Sequence, residues 1–238
     1  MGYLLYERGT KFLDATFHRG IVSRTGRSTK CLRGRGITGV IKDKYFPKYK
    51  YRGPTDGRDR SHAPGAAKKR GKAGGMARGR LVDNEVQRWM EKGLAPSPSL
   101  HPFSRGFIAL VTRLRLTPVA TQVVCRDESC NIATLVDAVF LNAQGRIVVV
   151  ELKTGFDGYN DSSNGRMRED FKHLSNSPHN QHKVQLAFTQ VMFEKTFPEF
   201  GVTDALLIRM TGDGAHVRSL GSREAHAARL ATRQEGNF

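Results

Sequence analysis

The stretch Leu135–Gly155, which reads LVDAVFLNAQGRIVVVELKTG, decides the fold. It contains two apolar runs rich in Val and Ile, Leu135–Leu141 and Ile147–Leu152, on either side of the polar segment 142–145. Two such runs joined by a short segment that ends in Gly are typical of a β-hairpin. We therefore predict a hairpin here, with Gly145 in the left-handed position of its loop.

The register of this hairpin brings charged side chains together. A three-residue loop places Asn142 opposite Arg146 and, counting back along both strands, Asp137 opposite Glu151. Since side chains alternate between the two faces of a strand, Asp137, Glu151 and Lys153 share one face. Carboxylates inside apolar strands are costly unless they are paired or bind a metal. This arrangement predicts a hydrolytic site for a hard divalent metal.

The same residues resemble the PD-(D/E)XK nuclease superfamily, and most closely its RecB and phage lambda exonuclease branch. Asp137, followed after one turn by Glu151-Leu152-Lys153, matches the family pattern of Asp, a turn and Glu-x-Lys. The alternative is a surface hairpin with a salt bridge between Glu151 and Lys153. The continuous apolar run 147–150 disfavours it, because such a strand is buried on both faces.

The resemblance implies a fold, a cofactor and roles for the matching residues. It implies an α/β fold in which a central mixed β-sheet is flanked by helices, as in the restriction-endonuclease-like core. Asp137, Glu151 and the Leu152 carbonyl are then expected to bind Mg²⁺ or Mn²⁺. Lys153 is expected to orient the attacking water or to stabilise developing charge.

Two further site residues come from helices that this branch places beside the metal. Apolar residues recur at helical spacing after Arg80 and predict a first helix, on which Glu85 takes the role of an additional metal ligand. A later helix is predicted from Ser177-Pro178 to about Lys195. On this helix Gln185 is expected near the attacking water and the scissile phosphate, with Gln181 as the second choice.

The chain departs from the branch at two positions. The branch often has a His near the position of Asp83 and a Tyr at the position of Thr189. The missing His makes the RecB subtype, and with it a preference for manganese, uncertain. Glu85 as an ordinary surface carboxylate is an equally good interpretation of that residue.

Charge divides the chain into two regions. Residues 1–80 hold 21 Lys and Arg against 5 Asp and Glu, whereas residues 81–238 hold 18 against 17, which gives +16 and +1 of the net +17. We predict that residues 1–80 form a basic, partly disordered N-terminal extension that acts as a nucleic-acid-binding arm. Residues 81–238 are predicted to form the nuclease-like domain. A basic arm binds phosphate backbones without sequence preference.

Two basic clusters in the extension are candidate nucleic-acid contacts. The stretch 45–51, YFPKYKY, interleaves aromatic rings with Lys48 and Lys50, which suits stacking on bases next to phosphates. Packing of these rings on the domain is an equally good alternative. The Gly-rich segment 53–79 predicts a flexible basic linker. Its basic cluster consists of Lys68, Lys69, Arg70 and Lys72. Two alternatives to nucleic-acid binding are a nuclear localisation signal and a set of solvated surface charges.

The remaining pattern predicts the other elements of the domain. We expect a helix over 107–116, a strand over 118–125, a long functional loop over 156–178 and a final helix capped by Ser222. A second pair of strands is expected over 204–210 and 215–220.

Composition excludes several classes of protein. No apolar run reaches the length of a membrane span, and the start 1–11 lacks an h-region followed by a cleavage site. Three cysteines suit a reducing, intracellular compartment, with the nucleus or another DNA-containing compartment left open. Cys125 and Cys130 lack a second pair of ligands and are expected to be free thiols.

We therefore expect a Mg²⁺- or Mn²⁺-dependent deoxyribonuclease that acts in DNA replication, repair or recombination. The exonuclease and structure-specific endonuclease possibilities stay open, as do RNA as substrate and the oligomeric state. The alternative from another class is a non-catalytic DNA- or RNA-binding protein on a degenerate nuclease fold. The intact set of Asp137, Glu151 and Lys153 favours the enzyme, whereas the departures at Asp83 and Thr189 keep the alternative open.

Overall fold

The structure is a computed structural model that describes residues 35–46, 65–92, 97–127, 132–154, 165–201 and 203–234. Six strands and five α-helices occur in these ranges, together with 3₁₀ turns at Glu169–Phe171 and Pro198–Phe200. In chain order the elements are β1 (Arg35–Gly36), α1 (Ile37–Tyr45), α2 (Gly65–Lys92), α3 (Pro102–Arg113), β2 (Thr117–Asp127), β3 (Ile132–Leu141), β4 (Ile147–Thr154), α4 (Pro178–Thr196), β5 (Asp204–Thr211), β6 (Gly214–Ser219) and α5 (Ser222–Gln234).

The six strands form one mixed sheet around β3. Strand β2 runs antiparallel along β3, while β4 pairs antiparallel with residues 138–141 of β3 and β1 pairs in parallel with residues 132–133. Strand β5 then joins β4 in parallel, and β6 closes the far edge antiparallel to β5. Helices pack on this sheet, which confirms the predicted α/β fold with a central mixed sheet flanked by helices.

The predicted hairpin is present in the predicted register. Leu141 pairs with Ile147 and Ala138 pairs with Val150. The N–H of Asn142 donates to the carbonyl of Arg146 at 2.9 Å, and Gly145 has φ of 74°. A left-handed residue in the loop is a position that favours Gly.

Both faces of the hairpin are covered, because residues of alternating parity belong to two different cores. Val139 and Val149 pack with side chains of α1, α4 and α5, whereas Phe140 and Val150 pack with side chains of α2 and α3. A strand that is buried on both sides needs apolar residues in an unbroken run. This is why the sequence of β4 shows no alternation before Glu151.

Part of the predicted extension belongs to the domain. Helix α1 buries Ile37, Val40, Ile41 and Tyr45 in the core with α4, and Tyr45 has no exposed surface. The sequence did not predict this packing, because four apolar residues in a basic segment produce only a short helical periodicity. The predicted domain boundary at residue 80 therefore does not coincide with the edge of the packed structure.

Helix α2 begins at Gly65, well before the predicted start near Arg80, and so replaces most of the predicted linker. Burial of Val82 and Val86 anchors the helix, so it extends toward Gly65 without a new nucleus, and the Ala, Lys and Arg residues of this segment are good helix formers. The five glycines of the segment 65–79 favoured a linker in the sequence, and the helix that the structure has there makes that interpretation wrong.

Most of the other predicted elements agree with the structure. The helix predicted over 107–116 is α3, which both starts and ends earlier in the chain. Strands β2, β5 and β6 match the predicted strands within three residues at each end. Ser222, predicted to cap the final helix, is instead the first residue within α5. Helix α4 starts as predicted, with the Ser177 hydroxyl accepting a hydrogen bond from the N–H of Asn180. Residues 155–164 of the predicted long loop lie outside the described residues. No described helix is both long and apolar enough to cross a membrane.

Candidate functional site

The candidate site lies where β3 and β4 separate. Their pairing ends at Ala138 and Val150. Asp137 and Glu151 are the next residues beyond this pair, one on each strand. The alternation of β3 also breaks at this point, because Val136 and Val139 belong to the same core although strict alternation would place them on opposite faces. Two carboxylates thus meet at a break in the sheet.

Strand β2 contributes to this break through Gln122. Its neighbours Thr121 and Val123 pair with Ala138 and Val136, so Gln122 lies across from Asp137, and it has φ of 51°. A left-handed conformation within a strand is unfavourable for any residue but Gly, and such strain concentrates at functional sites.

Glu151 is the most deeply buried member of the site, with 1% of its surface exposed. Its Oε1 accepts hydrogen bonds from Lys153 Nζ and, at 2.6 Å, from Gln185 Nε2. Its Oε2 is buried and has no hydrogen-bond partner among the described residues. A buried carboxylate oxygen without a donor is costly, and a bound cation is one way to satisfy it.

Asp137 is held in place by the backbone. Its Oδ2 accepts a hydrogen bond from the N–H of Leu152 at 2.8 Å, which ties β3 to β4 beyond their last paired residues. The predicted role of the Leu152 carbonyl as a metal ligand stays a prediction.

Burial raises the pKa of both carboxylates. Burial and the charge of Asp137 raise the pKa of Glu151 to about 7, although Lys153 opposes the shift. Burial likewise raises the pKa of Asp137, against the opposing effect of Lys153 and of the bond from Leu152. Two negative charges in this position are therefore unfavourable until a further positive charge is present.

Glu85 does not join this group. Its Oε2 accepts hydrogen bonds from the N–H of His101 at 2.9 Å and from the Ser104 hydroxyl at 2.5 Å. It therefore holds the start of α3, and its predicted role as a metal ligand is wrong in this arrangement. Glu85 lies two residues from the position on α2 that faces the site, and two residues correspond to a rotation of about 200° around the helix axis.

Asp83 occupies that position instead. Although the Asp83 side chain is exposed, partial desolvation and then the charge of Asp137 raise its pKa to about 6, whereas the charge of Lys153 lowers it. Its charge also contributes to the raised pKa of Glu151. The sequence signal was present, since the resembled branch has a functional side chain near this position, but we treated Asp83 as a departure.

The two glutamines, of which Gln185 was the first choice for the site and Gln181 the second, make different contacts. Gln185 contacts Glu151, whereas Gln181 Nε2 donates to Asn176 Oδ1 at 2.8 Å and so supports the segment before α4. The sequence missed His182, which lies one turn before Gln185. Burial and then the charge of Lys153 lower its pKa to about 3, so it is neutral beside the site.

The donor set suits a hard cation. Oxygen ligands and no sulfur are what Mg²⁺ and Mn²⁺ prefer, and the buried Glu151 Oε2 is an acceptor that a cation can satisfy. Within the described ranges no three His, Cys, Asp or Glu side chains converge as a complete ligand group. The residues that fit the cation are thus the pair Asp137 and Glu151, with Asp83 as a further carboxylate whose charge acts on Glu151.

Most of the residues predicted to contact nucleic acid or to be free thiols lie outside the described residues. Lys48, Lys50 and Cys130 lie outside the described residues. The backbone of residues 68–72 lies in α2, but the side chains of Lys68, Lys69, Arg70 and Lys72 are not described. Cys125 is a buried free thiol, as predicted.

No family model matches the chain, and no curated protein matches it. Among solved structures, the crystal structure of a protein named SSO0001 matches 64% of this chain and 70% of its own chain, with 23% identity and a TM-score of 0.31. A similarity of this size carries no argument about fold or function.

Proposed function

We propose that the chain is a metal-dependent nuclease that hydrolyses DNA phosphodiester bonds. The observation that carries the proposal is the buried Glu151, which shares its site with a second carboxylate, a lysine and a glutamine and keeps one oxygen without a donor. A merely structural carboxylate at this depth is expected to have donors for both oxygens. The resemblance of these residues to the PD-(D/E)XK superfamily supports the same conclusion.

Asp137 and Glu151 are the residues that hold the metal in this proposal, with Asp83 in place of Glu85. A bound Mg²⁺ or Mn²⁺ supplies charge stabilisation to the phosphate and lowers the pKa of a bound water. The N–H of Leu152 fixes Asp137, and Gln185 fixes Glu151, so that neither carboxylate has to reorganise during the reaction.

Lys153 has two roles at different stages. In the metal-free protein its ammonium group pairs with Glu151 and offsets part of the carboxylate repulsion. With 23% of its side chain exposed, the ammonium group lies at the border between the buried site and solvent. From there it can donate to a phosphate oxygen or orient the attacking water, which stabilises charge that develops in the transition state.

The proposal is tested by incubating labelled DNA with purified protein in Mg²⁺, in Mn²⁺ and in excess chelator. Free-ended and end-blocked duplexes are compared, because an exonuclease needs a free end. We expect cleavage in either metal and none in chelator. Binding without any cleavage under all three conditions supports the non-catalytic nucleic-acid-binding alternative and contradicts the proposal.

A further inference from the structure

A cleft with a volume of about 450 Å³ lies between β5, β6 and the start of α4. Apart from Leu207 its lining is polar, and two of the lining side chains are arginines. The polar lining residues are His179, Arg209, Thr211, Asp213, His216 and Arg218.

Strand register connects this cleft to the candidate site. Arg209 of β5 pairs with Lys153 on one side and with His216 on the other, so these three side chains form one row across the sheet. One row away, Leu207 pairs with Glu151 and with Arg218. Neighbouring strands lie about 4.8 Å apart, so β6 is about 10 Å from β4. The cleft is thus the continuation of the site toward the edge of the sheet.

The cleft is basic. Burial and then the positive charges of Lys183, Arg218 and Arg209 lower the pKa of His179. Two of these cations, Arg209 and Arg218, line the cleft with it. Asp213 is the one carboxylate among the described lining residues. Its side chain is 76% exposed, and the Thr211 hydroxyl donates to it while His216 lies 3.3 Å away. One exposed, hydrogen-bonded carboxylate leaves the cation excess of the cleft in place.

We propose that this cleft binds backbone phosphates of the strand being cut, on one side of the scissile phosphate. This inference rests on the proposed nuclease function. A separation of about 10 Å corresponds to about one to two nucleotide steps along a strand, because consecutive phosphates lie farther apart than the axial rise of about 3.4 Å per step. Arg218, exposed at the sheet edge one row from His216, contacts a phosphate at about that distance, and Arg209 of the middle strand lies between this edge and Lys153. The enzyme therefore acts on a polynucleotide and not on an isolated phosphodiester.

The test uses a set of oligonucleotides in which one linkage at a time is replaced by a neutral methylphosphonate. Single-turnover cleavage products are resolved by length, so that each cut is located relative to the neutral linkage. The proteins are wild type, Arg218→Gln and the matched control Arg113→Gln, which removes an exposed arginine at the end of α3. Binding of an unmodified oligonucleotide is also measured in chelator, where no cleavage occurs.

For wild type and Arg113→Gln we expect cuts to be suppressed about fivefold when the neutral linkage lies about one to two steps away on one side. A fivefold effect is the upper end for an exposed ion pair. In Arg218→Gln that additional suppression disappears, and binding in chelator weakens about as much. If wild type cleaves but shows no one-sided effect, or Arg218→Gln retains it fully, the cleft proposal is overturned while the nuclease function stands. If wild type does not cleave at all, the proposed function fails first.

Discussion

Replacing Glu151 with Gln is expected to stabilise the metal-free protein above neutral pH. The folded state raises the pKa of this carboxyl from 4.5 to about 7. The folded protein therefore holds the proton more tightly than the unfolded chain does. The stability that the folded protein gains from this tighter binding of the proton is complete below pH 4.5 and is lost as the pH rises through about 7.

The size of the effect follows from the same shift. One pKa unit corresponds to about 1.4 kcal/mol, so ionised Glu151 lowers the free energy of unfolding by about 3 kcal/mol in the absence of a cation. Gln keeps the shape of the side chain and cannot ionise. Glu151→Gln should therefore be more stable than wild type by up to about 3 kcal/mol at pH 8, and by almost nothing at pH 4.5.

The assay is urea unfolding in chelator at several values of pH between 4.5 and 8. A matched control is Glu194→Gln, because Glu194 is also well buried but accepts hydrogen bonds from Arg229 and from the N–H of Thr203. That substitution should destabilise the protein at pH 8. Adding Mg²⁺ should stabilise wild type and leave Glu151→Gln unchanged. A Glu151→Gln protein that is less stable than wild type at pH 8 in chelator would refute this reasoning.

Four further predictions follow from the site and the core. Lys153→Ala should lower the single-turnover rate by orders of magnitude with little change in DNA affinity, and an equal loss of both would show that Lys153 only clamps phosphate. Asp83→Asn should weaken Mg²⁺ binding measured by calorimetry, whereas Glu85→Gln should instead lower the melting temperature, and the reverse result would restore Glu85 as the ligand. Mg²⁺ affinity should rise with pH up to about 7, since Glu151 must lose its proton to bind, and a flat profile from pH 5.5 to 8 would contradict its raised pKa. Tyr45→Ala should cost about 3–5 kcal/mol of unfolding free energy, as for other buried aromatic residues, and a neutral effect in urea unfolding would show that α1 is not part of the core.

Local signals in the sequence were sufficient for the hairpin and its register. The loop chemistry around Gly145 and the two apolar runs determine which residues pair, and the pairing then brings Asp137 and Glu151 together. The capped start of α4 at Ser177 is equally local, and its helical period places Gln185 toward the sheet. In both cases residues within one short segment determine the local structure.

Other features depend on contacts between distant segments, and the sequence did not reveal them. Helix α1 is short, and only its packing against α4 shows that it belongs to the core. The choice between Asp83 and Glu85 depends on the rotation of α2, which contacts with α3 determine. The cleft beside the site arises because β5 lies parallel to β4, so that Arg209 lies next to Lys153, and this long-range pairing has no local signature.

The rate of DNA cleavage with and without an ionisable Glu151 tests the central claim most directly. Single-turnover rates are measured in saturating Mg²⁺ for wild type, Glu151→Gln and the control Glu91→Gln, which changes an exposed glutamate near the end of α2. We predict that wild type and Glu91→Gln cleave at the same rate and that Glu151→Gln is slower by at least about a thousandfold, on the order expected when a group that binds the essential metal is lost. Cleavage by Glu151→Gln at the wild-type rate, or equal cleavage by wild type in chelator, would contradict the assignment of a metal-dependent site to Asp137 and Glu151.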